Sequence, residues 1–186
     1  MREFVSSSLS LTGSLLIAHP SLSDPNFRKS VLFISANDSQ DGSFGLTLNR
    51  PAGRTVGELL PDRPLGSLGS VPVFLGGPVS SDQLIFAAFK WHEESERLEC
   101  NHHLVIEEAE KCLRDDSAIV RAFVGYAGWS KGQLEGELAQ RAWLMRKAAP
   151  EALELDRCPT LWREMTSSFG PWFQLAAEAP EDLSLN

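Results

Sequence analysis

The chain has 186 residues, 42% of them hydrophobic, with 10 Phe and 5 Trp, which is enough apolar mass for one substantial core and one domain. Its formal charge of −8 opposes nucleic-acid phosphates and anionic headgroups, so neither nucleic acid nor a membrane surface is an expected partner. Cys100, Cys112 and Cys158 are odd in number and form no CxxC pair, which argues against a zinc ribbon and a disulfide framework and fits reduced thiols in the cytoplasm.

From the N-terminus, Leu9–Ala18 has the look of a secretory signal. Ser10, Thr12, Gly13 and Ser14 dilute it, however, and no A-x-A site follows. Leu15–Ala18 reads as a short strand. Asp24-Pro25 starts one helical turn through Arg28, since the carboxylate caps free N–H groups and proline suits the first helical position. Val31–Ala36 and Phe44–Leu48 pair as a hairpin about the turn residues Asp38–Gly42, and Gly45 within the return strand marks a bulge or a close approach. Thr55 caps a short helix through Leu60, and a Pro- and Gly-rich loop over 61–72 leads to a strand at Val73–Leu75.

Ile85–Trp91 and Leu98–Ile106 bracket the polar Glu93–Glu96 as a second hairpin, followed by a helix over Glu107–Arg114. Ile119–Ala127 is an apolar strand that runs through a glycine-rich loop into a helix over Gln133–Ala142, with Leu134, Leu138 and Arg141 on one face. Trp162, Met165 and Phe169 mark a last amphipathic helix, which Gly170-Pro171 stops. No apolar run reaches the roughly 20 residues of a membrane helix. Loose ends are expected at 1–12 and 177–186, the latter acidic.

Four segments carry the unusual polar residues. Asp24, Asn26, Arg28 and Ser30 sit within two turns and suit a polar pocket wall as well as a capped turn. Asn49-Arg50-Pro51 ends a strand with an amide and a forked cation, a pair suited to an anion or to a plain turn. Gly76-Gly77-Pro78 could turn backbone N–H groups toward an anion, but it lacks the Lys-Ser or Lys-Thr of a Walker loop, and a tight turn from strand to loop is the competing reading. Gly128-Trp129-Ser130-Lys131-Gly132 fits the G-x-S-x-G of a nucleophile elbow. All four histidines precede Ser130, so the downstream histidine such a hydrolase needs is missing. The glycines then serve a sharp turn that leaves Trp129, Gln133 and Glu135 at a helix start. His92, Cys100, His102, His103 and Cys112 include metal-ligand types, but neighbours on a strand face opposite ways. No metal and no cofactor is expected.

In order and spacing these segments resemble the YqgE/AlgH family of bacterial proteins. The matching text is Gly13–Ala18 with Asp24–Val31, Gly45–Pro51, Leu75–Val79, and Gly125–Trp129 with Gly132–Glu135. Trp143-Leu144, the Trp162 helix and Ser184-Leu185-Asn186 extend the match over nearly the whole chain. Ser130 falls where the family pattern varies, Ser80–Phe89 departs from it, and His19 stands where an apolar residue is usual. The resemblance implies a single α/β domain of α+β character, with bifurcated, coiled mixed sheets packed with helices. It implies no particular activity. A transcriptional-regulator label attaches to the family, yet this acidic chain has no helix-turn-helix with basic recognition residues.

The leading expectation is a binding or regulatory protein rather than an enzyme, without a catalytic residue. It would use Asp24–Ser30, Asn49–Pro51 and Trp129–Glu135 as one surface for a small molecule or protein partner. The alternative is general acid–base chemistry on an anionic small molecule, with Asp24 or Glu135 as base and Arg28 as electrostatic stabiliser.

Overall fold

A computed structural model of the chain describes residues 10–38 and 40–179. The outer parts of the expected loose ends, Ser39 of the first hairpin turn and the closing Ser184-Leu185-Asn186 therefore lie outside the described residues. Inside them, Leu11 and Ala177 are each only 7% exposed and pack into the main core.

Nine strands and five helices follow in order: β1 (Ser14–Ala18), β2 (Val31–Asp38), β3 (Gly42–Thr47), β4 (Pro51–Thr55), α1 (Val56–Leu59), β5 (Pro72–Leu75), β6 (Val79–His92), β7 (Arg97–Leu104), α2 (Ile106–Leu113), β8 (Ala118–Trp129), α3 (Gln133–Ala139), β9 (Trp143–Lys147), α4 (Leu161–Ser167) and α5 (Pro171–Glu178). Tight helical turns at Gly66–Ser70 and Pro150–Leu153 complete the list. No helix among the described residues is long and apolar enough to cross a membrane.

Several expectations are corrected. β4 and β9 are strands that no apolar alternation announces: β4 pairs with β5 at one edge, where its opening proline costs no ladder bond, and β9 pairs with β1 along its whole length. β6 begins at Val79 rather than near Ile85, because Ser80–Gln83 form an irregular, bulged stretch with Ser80 at a φ of 50°. Gly170-Pro171 ends α4 and also starts α5, since a proline at the first position of a helix loses no hydrogen bond. α3 stops at Ala139, and Arg141 leaves its face by adopting a φ of 59°.

The strands run β4-β5-β8-β3-β2-β1-β9, with β6 also on β8 and β7 on β6. At 122–124, β8 lies between parallel β5 and antiparallel β6. At 127–129 it pairs instead with antiparallel β3. The sheet thus forks along β8. Both faces are covered: Val73, Phe86, Ala88, Val120 and Ala122 point to one apolar cluster under α1 and α2, while Phe74, Ala87, Phe89 and Phe123 point to the larger one. Burial on both faces accounts for the unbroken apolar runs of β6 and β8. Facing the larger cluster, Arg121 is only 1% exposed and donates to the carbonyls of Leu48 and Leu153.

Glycine makes the fork possible. A Cβ on Gly76 would stand 2.2 Å from the Gly125 oxygen, and one on Gly125, whose φ is 68°, would stand 2.4 Å from the Gly77 oxygen. Backbone meets backbone there, so nothing flexible can yield. Gly125→Ala and Gly76→Ala are each expected to lower unfolding free energy by roughly 2–4 kcal/mol in urea titrations. Gly136→Ala on α3, where a Cβ meets nothing within 4 Å, should instead raise it by about 0.5–1 kcal/mol. Equal effects at the three positions would contradict the crowded crossing.

Candidate functional site

The Asp24–Ser30 segment folds as the single helical turn its sequence suggests. Asp24 Oδ1 accepts the Asn26 N–H at 2.8 Å, the Asp24 carbonyl accepts the Arg28 N–H at 2.7 Å, and Lys29, at a φ of 55°, ends the turn. Ser30 is buried and its hydroxyl donates to the Phe27 carbonyl at 2.6 Å. The next segment, just beyond β3, clamps this turn. Asn49 Oδ1 accepts the Val31 N–H at 2.8 Å while its Nδ2 donates to the Lys29 carbonyl at 3.0 Å. Arg50 spans the carbonyls of Asn26 and Arg28, at 2.6 and 2.9 Å. Both Nη atoms of Arg50 thus engage main-chain oxygens of its own chain. Burial holds the Arg50 pKa below its ordinary value, the Arg28 charge acting in the same direction and Asp24 against it.

The fourth segment meets the first through rings. Phe27 stacks over Trp129 at 6.3 Å and meets Trp143 edge-on at 5.5 Å. Beneath it, the indole N–H groups of Trp129 and Trp143 both donate to Glu137 Oε2, at 2.9 and 2.8 Å, and Gln133 Nε2 donates to Oε1 at 3.0 Å. Ser130 Oγ lies 3.1 Å from Gln133 Oε1. Glu135 points outward and is exposed. The carboxylate that matters to this cluster is Glu137, absent from the sequence-based candidates. Helical spacing carried the signal: once Leu134 turns inward, Glu137 and Leu138 share its side and Glu135 does not.

Gly76 and Gly77 sit at the fork. The Gly76 N–H donates to the Val124 carbonyl at 2.9 Å, and its carbonyl accepts both the N–H and the hydroxyl of Thr47 at 3.0 Å. The Gly76 amide is therefore part of the sheet and is not turned toward an anion.

The histidine pair needs a correction. His102 and His103 do not face opposite ways: His103 has a φ of 57°, the register slips between Ala87 and Phe86 opposite, and the two Nδ1 atoms lie 2.6 Å apart. The His102 ring stacks on Phe44 at 4.3 Å. His92 pairs with Glu99 at 2.8 Å, and burial pushes the Cys100 thiol up to about 12. Among the described residues no three His, Cys, Asp or Glu side chains converge as a metal ion would require.

What opens to solvent beside the clamped turn is a pair of cavities. One, of about 290 Å³, is lined by Leu22, Ser23, Arg28, Lys29 and Trp162; the other, of about 230 Å³, by Lys29, Asn49, Trp162 and Arg163. They share Lys29, whose Nζ stands 5.6 Å over the Trp162 ring. That ring is fixed by its own N–H, which donates to the Ala18 carbonyl at 2.8 Å.

A family model described as AlgH-like matches residues 15–174, the span that holds every one of these segments. The chain belongs to the AlgH-like family. A UPF0301 protein of Streptomyces coelicolor is 36% identical over 188 residues, covering 95% of this chain and 96% of that protein. Another, of Shewanella woodyi, is 38% identical over 178 residues, covering 87% and 92%. In three dimensions the chain resembles the AlgH protein of Pseudomonas aeruginosa, with a TM-score of 0.62 and 26% identity over 98% of this chain and 100% of that one. The crystal structure of a Corynebacterium diphtheriae protein, 18% identical, has the same fold at a TM-score of 0.69, covering 96% of this chain and 95% of that one.

Within this family member the clamp is directly testable. Arg50→Lys replaces a planar fork by a point charge that cannot span two carbonyls, and should cost roughly 1–3 kcal/mol of stability. Amide hydrogen exchange over residues 26–29 should rise with it. Unchanged exchange there would show that Arg50 does not hold the turn.

Proposed function

We propose that the protein is a binding component, and that an anionic group of a small ligand enters the paired cavities around Lys29 and Trp162. The observation that carries this reading is the meeting of Arg28, Lys29 and Arg163 around these cavities in a chain whose net charge is −8. A local cluster of cations against an acidic background attracts an anion at short range and leaves the rest of the surface repelling it. The clamp deepens the argument. Asn49 and Arg50 hold the carbonyls of Asn26, Arg28 and Lys29 in place, so the side chains of Arg28 and Lys29 project from a rigid turn and little ordering remains to be done on binding.

The face of Trp162 adds a flat apolar wall beneath the Lys29 charge. Among the described residues, no carboxylate or imidazole lines either cavity. That chemistry suits capture of a ligand better than the proton transfers of acid–base catalysis, for which a positioned base is required.

Calorimetric titration with inorganic phosphate and with citrate tests the reading. Saturable binding is expected, weakening as ionic strength rises and falling about tenfold in Lys29→Gln or Arg163→Gln, the loss of one charge-assisted hydrogen bond. Both positions lie on the surface, and unchanged melting temperatures would establish that the variants fold. Absence of saturable binding, or binding indifferent to both substitutions, would overturn it.

A further inference from the structure

A second, larger cavity lies between the end of β1, the start of β9 and α5. Its volume is about 700 Å³, and His19, Gln140, Arg141, Trp143, Trp172 and Phe173 stand around it. That volume is typical of a site for a small organic molecule. We propose that this cavity binds a planar aromatic anion, its ring held against Trp172, Phe173 and His19 and its acid group by Arg141 and the His19 Nε2–H. The site is separate from the cavities at Lys29 and shares no lining residue with them.

Three observations converge. First, the walls are aromatic and partly open. Trp172 is 59% exposed and is the only aromatic among the large exposed hydrophobic residues described. It stacks on His19 at 5.7 Å and meets Phe173 edge-on at 4.8 Å. Leaving so much indole in water is unfavourable, and a flat ligand would cover it. Next to it Leu175 is 70% exposed, which extends the apolar rim.

Second, the charge in the cavity has one sign. Arg141 supplies a cation, and among the described residues no ion pair uses it and no carboxylate lines the cavity. Arg141 holds a φ of 59°, a strained conformation for a residue with a side chain, in the turn between α3 and β9.

Third, the hydrogen bonds of His19 select its tautomer. The Ser21 backbone N–H donates to His19 Nδ1 at 3.2 Å, and the Ser21 hydroxyl is 2.7 Å from the same atom. Nδ1 is therefore an acceptor, and the proton of the neutral ring resides on Nε2, where it can be donated to an oxyanion. Burial, helped by the nearby Arg141 charge, lowers the His19 pKa and so favours the neutral ring.

Naphthoate is the probe, read by calorimetry and by quenching of Trp fluorescence. Single-site binding is expected, and Arg141→Gln and Trp172→Leu should each weaken it about tenfold. His19→Phe, which keeps the wall and removes the N–H, should weaken it less. Naphthalene methanol, which lacks the charge, and cyclohexane carboxylate, which lacks the flat ring, should each bind about tenfold more weakly than naphthoate. Lys29→Gln should leave naphthoate binding unchanged, which separates this site from the one at Lys29. Trp172 and Arg141 are exposed, so folding of their variants is verified by melting temperature. The proposal is overturned by no saturable binding of naphthoate, by equal affinity for the uncharged analogue, by binding that survives Arg141→Gln and Trp172→Leu together, or by a loss that follows Lys29→Gln instead.

Discussion

A guanidinium with no carboxylate partner among the described residues stands in the core of the molecule. Arg121 belongs to the apolar face of β8, where an alkyl side chain would be routine, and it carries its charge into the core. Stripped of water, such a cation is costly unless every donor finds an acceptor. Two main-chain carbonyls answer it, those of Leu48 and Leu153, and the Phe74 ring lies 4.2 Å from the guanidinium carbon. Burial lowers its pKa to about 10, so the charge persists at neutral pH. The carbonyls it recruits belong to the end of β3 and to the turn that leads into the C-terminal helices. Cys158 adds its thiol to the same Leu48 oxygen at 3.6 Å. One buried charge therefore ties the forked strand to the two regions that border the Lys29 cavities.

From Leu48 the order propagates outward by one residue at a time. The Leu48 N–H bonds to the Val31 carbonyl at 2.8 Å, Asn49 answers the Val31 N–H, and Arg50 reaches the turn beyond. Each step satisfies main-chain groups that would otherwise be left unpaired near the surface. The outcome is an exposed turn whose main-chain carbonyls at Asn26, Arg28 and Lys29 are held by two side chains from the end of the neighbouring strand.

Much of this was legible in the residues. The hairpins on either side of Asp38–Gly42 and Glu93–Glu96, the capped Thr55 helix and the apolar strand of β8 follow from alternation, turn chemistry and capping. β4 and β9 were not legible: their residues are polar or charged on the outward side, and only pairing with β5 and β1 makes them strands. The convergence of Asn49 and Arg50 on the Asp24–Ser30 turn was foreshadowed by residue types, but their acceptors are carbonyls, which look alike in every sequence. Trp129 was expected at the surface and is instead 4% exposed, because Phe27 covers it. His19, Arg141 and Trp172 lie far apart in the chain and none belongs to a motif, so the larger cavity was visible only once β1, β9 and α5 had been brought together.

Forking also multiplies the borders of a sheet. A simple sheet has two outer strands, whereas among the described residues this one has three, β4, β7 and β9, each with no strand paired on one side. Such borders invite another chain to add a strand. Here Pro51 and Arg54 guard the first, the slip at His103 with Arg97 and Glu99 the second, and Arg146 and Lys147 the third. Charge at all three borders, with proline at the first and an irregular register at the second, disfavours recognition by strand addition. The same features make each border a poor template for a strand from a neighbouring copy.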